Sequence, residues 1–201
     1  MNAFVFMVLF ASQAFASGGA VGNGGDAVVC RPSSQNKFNG YYALDYLAKY
    51  QSNLDAVPAA SIEQALNRIE AGLHAKLPEL WPSFREFRNN VFNTRDFTRK
   101  HIWEEAAFGL VDLKDEALVE RLPENCRAGD KIAVVQAVIR QPPSVAGLPE
   151  YKVKYKFVPQ VTEALRRQNP VQLSFLIVHE WLWDFSKNVD RNRVINYLLH
   201  S

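Results

Sequence analysis

His179 and Glu180 are the residues of this 201-residue chain whose types and spacing most directly suggest chemistry. An adjacent His-Glu pair opens the His-Glu-x-x-His helix, in which two histidines one turn apart bind zinc and the glutamate polarises the metal-bound water. One turn on from His179 stands Trp183, whose indole N–H cannot ligate a metal, so the motif stops short of its second ligand. A zinc site would have to recruit Asp184, Asp190 or His200, with His179 as ligand and Glu180 as catalytic base. The other reading is a polar network in the core: His179 hydrogen-bonded to a carboxylate or a backbone carbonyl, and Glu180 and Asp184 held by arginines.

The element that must position these residues is the run from Val171 to Lys187. At about 100° per residue, Val171, Phe175, Val178, Leu182 and Phe185 share one helical face with His179 at its border, while Leu173, Leu176, Ile177, Trp181 and Trp183 cover much of the other. A helix apolar nearly all round is a buried one, and this run falls short of the roughly 20 apolar residues that span a bilayer. Glu180 and Asp184 are like charges at i, i+4, a spacing that costs about 0.2–0.5 kcal/mol even in water. Asp190 is the expected N-cap of a last helix, with Arg191 and Arg193 in its first turn, where the helix dipole disfavours cations. Those arginines imply a compensating partner, so Arg191 or Arg193 is expected to fold back onto Glu180 or Asp184, giving a network of His179, Glu180, Asp184, Arg191 and Arg193.

Residues 1–16 read as a secretory signal, with an apolar core from Phe4 to Ala11 and an A-x-A cleavage pattern at Ala14-Phe15-Ala16, although no Lys or Arg precedes the core. The expected mature product, residues 17–201, is one domain that is periplasmic or secreted and has no membrane span. The formal net charge of +2 is too near neutral to imply nucleic acid, and 48% hydrophobic residues exclude a disordered chain. Cys30 and Cys126 are the only cysteines. In an oxidising compartment a disulfide between them is the default, worth about 4–5 kcal/mol in the chain-entropy picture; two buried free thiols are the competing reading.

Residues 17–26 form a glycine-rich arm with no strand before it, as a phosphate cradle would need. Ala27–Cys30 and Tyr41–Leu44 read as two strands of a hairpin feeding a helix through Lys49. Ser61 and Gln64 form a capping box for a helix from Ile62 to about Leu77, and Pro78 and Pro82 separate it from one lined by Phe84, Phe87, Val91 and Phe92. A third helical piece is expected over 98–107, with His101 and Glu105 one turn apart. Strands are expected over 108–113, 131–139 and 151–157, the last with Lys152, Lys154 and Lys156 on its solvated face, then a short helix from Pro159 to Gln168. The class is α+β: a small, largely antiparallel sheet packed on the buried C-terminal helix, with a helical middle section.

The segments Gly22–Cys30, Leu44-Asp45-Tyr46, Leu122–Cys126, Ile177–Glu180 and Asn196–Ser201, taken in that order, resemble a family of uncharacterised exported proteins from predatory bacteria of the Bdellovibrio type. The resemblance implies export and supplies no activity. Two functional readings follow. The first is a non-catalytic structural or interaction module without a cofactor, for which an envelope protein or peptidoglycan is the expected class of partner. The second is a metal-dependent hydrolase of envelope substrates, with zinc bound by His179, Asp184 and His200 and with Glu180 as base.

Overall fold

The computed structural model describes residues 25–31, 38–47, 55–109, 126 and 131–201. The signal-like segment, the arm up to residue 24 and most of the strand expected over 108–113 lie outside them, as does the end of the helix expected to reach Lys49. In chain order the described elements are β1 (Asp26–Arg31), β2 (Gly40–Ala43), α1 (Leu44–Leu47), α2 (Ile62–Lys76), α3 (Trp81–Asn90), β3 (His101–Glu105), β4 (Lys131–Gln136), β5 (Val138–Gln141), α4 (Pro143–Ala146), β6 (Val153–Phe157), α5 (Pro159–Gln168), α6 (Pro170–Leu182) and α7 (Val189–His200). The α+β class holds.

The strand residues divide between two three-stranded sheets, ordered β2-β1-β4 and β3-β6-β5. The first is antiparallel throughout, with Val28 opposite both Tyr42 and Val134. In the second, β3 runs parallel to β6 and β5 antiparallel to it. The run 131–139, which reads as one strand in sequence, breaks at Ala137 and passes from the first sheet to the second. At that junction Val138 donates its N–H to the Gly25 carbonyl (2.7 Å) and Ala137 accepts from Val158 (2.9 Å), so the chain carries its hydrogen bonding through the break.

The helix expected over 98–107 is a strand instead. Asp96 accepts from both the backbone N–H (3.0 Å) and the hydroxyl (2.6 Å) of Thr98, a side-chain turn that competes with helix initiation. Beyond it the β-formers Ile102 and Trp103 are buried, and Trp103 stacks at 4.6 Å on Tyr155, its partner in the register of β6. His101 and Glu105 are therefore not one helical turn apart, and only His101 is buried.

In β6 the alternation holds: Val153, Tyr155 and Phe157 are buried, and Lys154 pairs outside with Glu104 at 2.8 Å. The helix from Ile62 starts at the expected cap, where Ser61 Oγ accepts from Gln64 N (3.1 Å) and Gln64 Oε1 accepts from Ala60 N (2.7 Å).

Helix α6 is the centre of the molecule. Every residue from Gln172 to Leu182 is buried, and the helix packs against α1, α2, α3, α5, α7, β2 and β5. Cys30 and Cys126 form a disulfide with Cα atoms 5.6 Å apart, in a smaller cluster with Val28, Leu44 and Leu47. Among the described residues no helix is long and apolar enough to cross a membrane.

Candidate functional site

Asn169-Pro170 starts α6, with proline in the first turn, where its missing N–H costs nothing. The helix then carries His179 and Glu180 into the interior, at 0% and 3% exposure. A buried His-Glu pair needs partners for both side chains, and the two residues find different environments.

His179 Nδ1 lies 2.6 Å from Asp45 Oδ2. Asp45, fully buried in α1, also accepts from Arg193 Nε (3.2 Å) and Asn196 Nδ2 (3.3 Å), both on α7. Asn196 Nδ2 reaches in addition the Phe175 carbonyl of α6 (2.8 Å), so one carboxylate joins three helices. Burial works against the Asp45 charge, but His179 and Arg193 outweigh it and hold the carboxyl below its ordinary range. The expected arginine fold-back takes place with a different acceptor: Arg193 reaches Asp45, not Glu180 or Asp184. Arg191 contributes its backbone N–H to the cap of α7, and that cap is Asn188 in place of the expected Asp190.

The second nitrogen of His179 is also taken. Trp183 Nε1 approaches Nε2 at 2.6 Å, one turn along the chain. Burial disfavours a second proton on the ring and the Asp45 carboxylate favours it more strongly, drawing the pKa upward. The indole opposes that pull, because an indole N–H only donates and bonds Nε2 only while that nitrogen carries no proton. In this geometry the ring has one proton, at Nδ1, donated to Asp45. The tryptophan at the place of the missing second ligand thus occupies the lone pair that a metal would need.

Glu180 turns the other way, towards β1 and the sheet junction. Its Oε1 sits so close to the Gly25 Cα that a Cβ there would collide with it and with the Val138 carbonyl oxygen. The last glycine of the glycine-rich arm is thereby required by the close approach of the Val138 backbone carbonyl, with the Glu180 carboxyl group filling the remaining space. Glu180 Oε2 and Asp26 Oδ1 are buried without a hydrogen-bond partner among the described residues. Burial pushes Glu180 up to about 7 and Asp26 up to about 6.

Asp184 and His200 belong to separate groupings. Asp184 lies beyond the end of α6, where its Oδ2 accepts from Lys100 Nζ (2.6 Å) and His101 Nε2 (2.9 Å), and its Oδ1 from Arg140 Nη2 (3.2 Å). Burial opposes its charge, but the bonds from His101 and Lys100 prevail and the carboxyl is held well below its usual range. His200 stacks on Phe175 at 3.8 Å, with Nδ1 2.8 Å from the Asn196 carbonyl and Nε2 2.7 Å from Ser174 Oγ. Burial lowers it to about 4, so its one ring proton goes to the carbonyl and Nε2 accepts from the serine.

The zinc set His179, Asp184 and His200 is therefore divided among three hydrogen-bond groupings, and among the described residues no three His, Cys, Asp or Glu side chains converge to hold an ion. The residues that sequence reasoning left out are Asp45, Lys100 and Arg140, while His101, noted for its spacing to Glu105, pairs with Asp184 instead. A lone aspartate at the junction of an apolar strand and a helix, as in Leu44-Asp45-Tyr46, is the signal that could have marked the first. No protein-family model, curated protein or solved structure matches this chain.

Proposed function

We propose that this chain is an exported, non-catalytic structural or interaction module, periplasmic or secreted, of the kind its resemblance to exported Bdellovibrio-type proteins implies. In this reading His179, Asp45, Arg193, Asn196 and Trp183 fix the packing of α1, α6 and α7. The observation that carries it is that both ring nitrogens of His179 are spent on protein groups, Asp45 at 2.6 Å and Trp183 at 2.6 Å. The Cys30–Cys126 disulfide adds weak support for an oxidising compartment.

A second reading has one observation in its favour. The unpartnered oxygen of Glu180, on a carboxyl group poised near neutrality, is what the base of a metal-dependent envelope hydrolase would use, and Asp26 is in the same condition. Substrate access weighs against it, since Glu180 is 3% exposed.

Elemental analysis of the purified protein beside its His179→Ala variant separates the two. The module reading expects no stoichiometric metal in either and a large loss of stability in the variant. Stoichiometric zinc that disappears with His179 would establish the hydrolase reading instead.

A further inference from the structure

Helix α3 turns two stripes to different surroundings. Phe84 and Phe87, both 0% exposed, enter the core, where Phe84 meets Trp181 of α6 at 5.0 Å and Phe87 meets His101 at 4.8 Å. A second stripe, Trp81, Arg85, Glu86, Asn89 and Asn90, lines a cleft of about 340 Å³. The connection from α3 to β3 supplies more of the lining, through Asn93, Asp96 and Arg99. That connection turns at Phe92, whose φ of 59° lies in the left-handed region, a costly place for a bulky residue, and whose ring is held against Trp103 (5.0 Å) and Phe157 (4.7 Å). The turn sets the Asn93 N–H on the Asn90 carbonyl at 3.0 Å, so side chains from both sides of Phe92 reach the same cleft.

The polar groups of the cleft are only partly spent on one another. Asn90, 4% exposed, donates its amide N–H to the His101 carbonyl, and its Oδ1 takes no hydrogen bond among the described residues. Asn93 is its complement: its Oδ1 accepts from Arg95 N at 3.0 Å, and its own amide N–H groups are unused among those residues. Arg99 bonds Asp96 through Nε alone, at 3.0 Å, while the exposed Glu86 and Asn89 bond to no other side chain there. The charges of the lining balance, Arg85 and Arg99 against Glu86 and Asp96. Both arginine side chains are 57% exposed and stand at the rim, whereas the most buried polar group is the neutral Asn90. Only Trp81 and Pro82 are apolar, and the Trp81 indole N–H is taken by Glu70 at 3.1 Å, so the ring offers the cleft its carbon surface.

We infer that this cleft is a binding site for a neutral saccharide, one or two pyranose rings of a glycan. Unspent donors and acceptors stand side by side in it without net charge, and a hydroxyl group, which both donates and accepts, satisfies both kinds. A zwitterion such as a dipeptide would engage the rim charges and leave the Asn90 oxygen unpaired. Pockets for apolar molecules are lined mainly by apolar side chains, which this one is not; a pyranose adds to its hydroxyls a C–H face that an indole covers. The volume lies at the small end of the roughly 300–1,000 Å³ typical of ligand pockets, which suits a short sugar. The inference does not rest on the packing role of His179, and its failure would leave that role untouched.

The test is NMR titration of the 15N-labelled full chain with cellobiose and with N,N′-diacetylchitobiose, and in parallel with the dipeptide alanyl-alanine. Saturable shifts of the Trp81 indole N–H and the Asn93 side-chain amide are expected with at least one of the disaccharides. Asn89→Ala should weaken that binding about three- to tenfold, the loss of one hydrogen-bonding amide, and Asn89→Trp should abolish it by filling the cleft. Asn89 is exposed and bonds to no other side chain among the described residues, so these variants test binding without threatening the fold. Tighter binding of diacetylchitobiose would support an acetamido sugar, and equal binding of the two would support recognition of the hydroxyls alone. Spectra that neither disaccharide moves, binding that Asn89→Trp leaves intact, or saturable binding of the dipeptide alone would each overturn the inference.

Discussion

His179 and Asp184 are close neighbours in sequence, yet the polar groupings around them solve opposite problems. The His179 group is closed. Asp45, 0% exposed, gathers His179, Arg193 and Asn196 inside the core, and Trp183 seals the remaining nitrogen. The Asp184 group is more open, because its carboxylate and His101 are buried but Lys100, 42% exposed, extends into water and Arg140 is half-buried. An unpaired charge in the first cannot be rehydrated without opening the core, whereas a lysine or arginine released from the second turns outward. The same residue types therefore close off the core in one place and reach towards water in the other.

Removing the two carboxylates in parallel puts the largest strain on that comparison. Asp45→Ala leaves Arg193 and His179 facing a buried gap and should cost about 3–5 kcal/mol in urea denaturation. Asp184→Ala should cost about 1–2 kcal/mol, because Lys100 and Arg140 can turn towards solvent and only the buried His101 is left without its carboxylate. Equal losses would remove the distinction between a closed and an open group.

The next effect is pH dependence. Glu180 sits at about 7 in the fold against 4.5 ordinarily, a raised value, so its contribution to stability is present in full below about pH 4.5 and is lost as pH rises to about 7. The loss should reach roughly 3 kcal/mol and then level off. Asp26 acts in the same direction between 3.8 and about 6. Asp45 and Asp184, whose values are lowered, act in reverse and withdraw their support as pH falls through the acid range. Thermal melts from pH 4 to 8 should show Glu180→Gln flattening the decline above pH 5; a variant with the wild-type slope would place the titrating group elsewhere.

A smaller effect sharpens the role of the tryptophan. Trp183→Phe keeps an aromatic ring but removes the donor to Nε2, so the imidazole pKa of His179 should rise further, towards the value that Asp45 alone would set. An unchanged titration by NMR would mean that the indole N–H does not govern the ring.

Much of this frame was legible in the sequence because it rests on local chemistry. Ser61 and Gln64 announce the start of α2, the alternating lysines of β6 announce its outer face, and the continuous apolar surface of Val171–Leu182 announces a central helix. The partners were not legible, because they depend on tertiary placement. Nothing near His101 tells that the side-chain turn at Asp96 starts a strand, and nothing near Arg193 tells that its acceptor is Asp45, at the far end of the chain. The break at Ala137 is equally silent locally, since Val134, Val135, Val138 and Ile139 favour extended chain on both sides of it. Even the reason for Gly25 becomes visible only once the Val138 carbonyl and Glu180 lie against it.

The most direct test of the closed His179 group is a long-range 1H–15N correlation spectrum of the histidine rings, recorded before and after addition of one equivalent of zinc. His179 is expected to carry its proton on Nδ1, with an unprotonated Nε2 in the shift range of a hydrogen-bond acceptor, and zinc is expected to leave both resonances in place. A His179 Nε2 resonance that moves to a metal-bound shift at stoichiometric zinc would contradict it, and would show that Trp183 yields the position to a ligand.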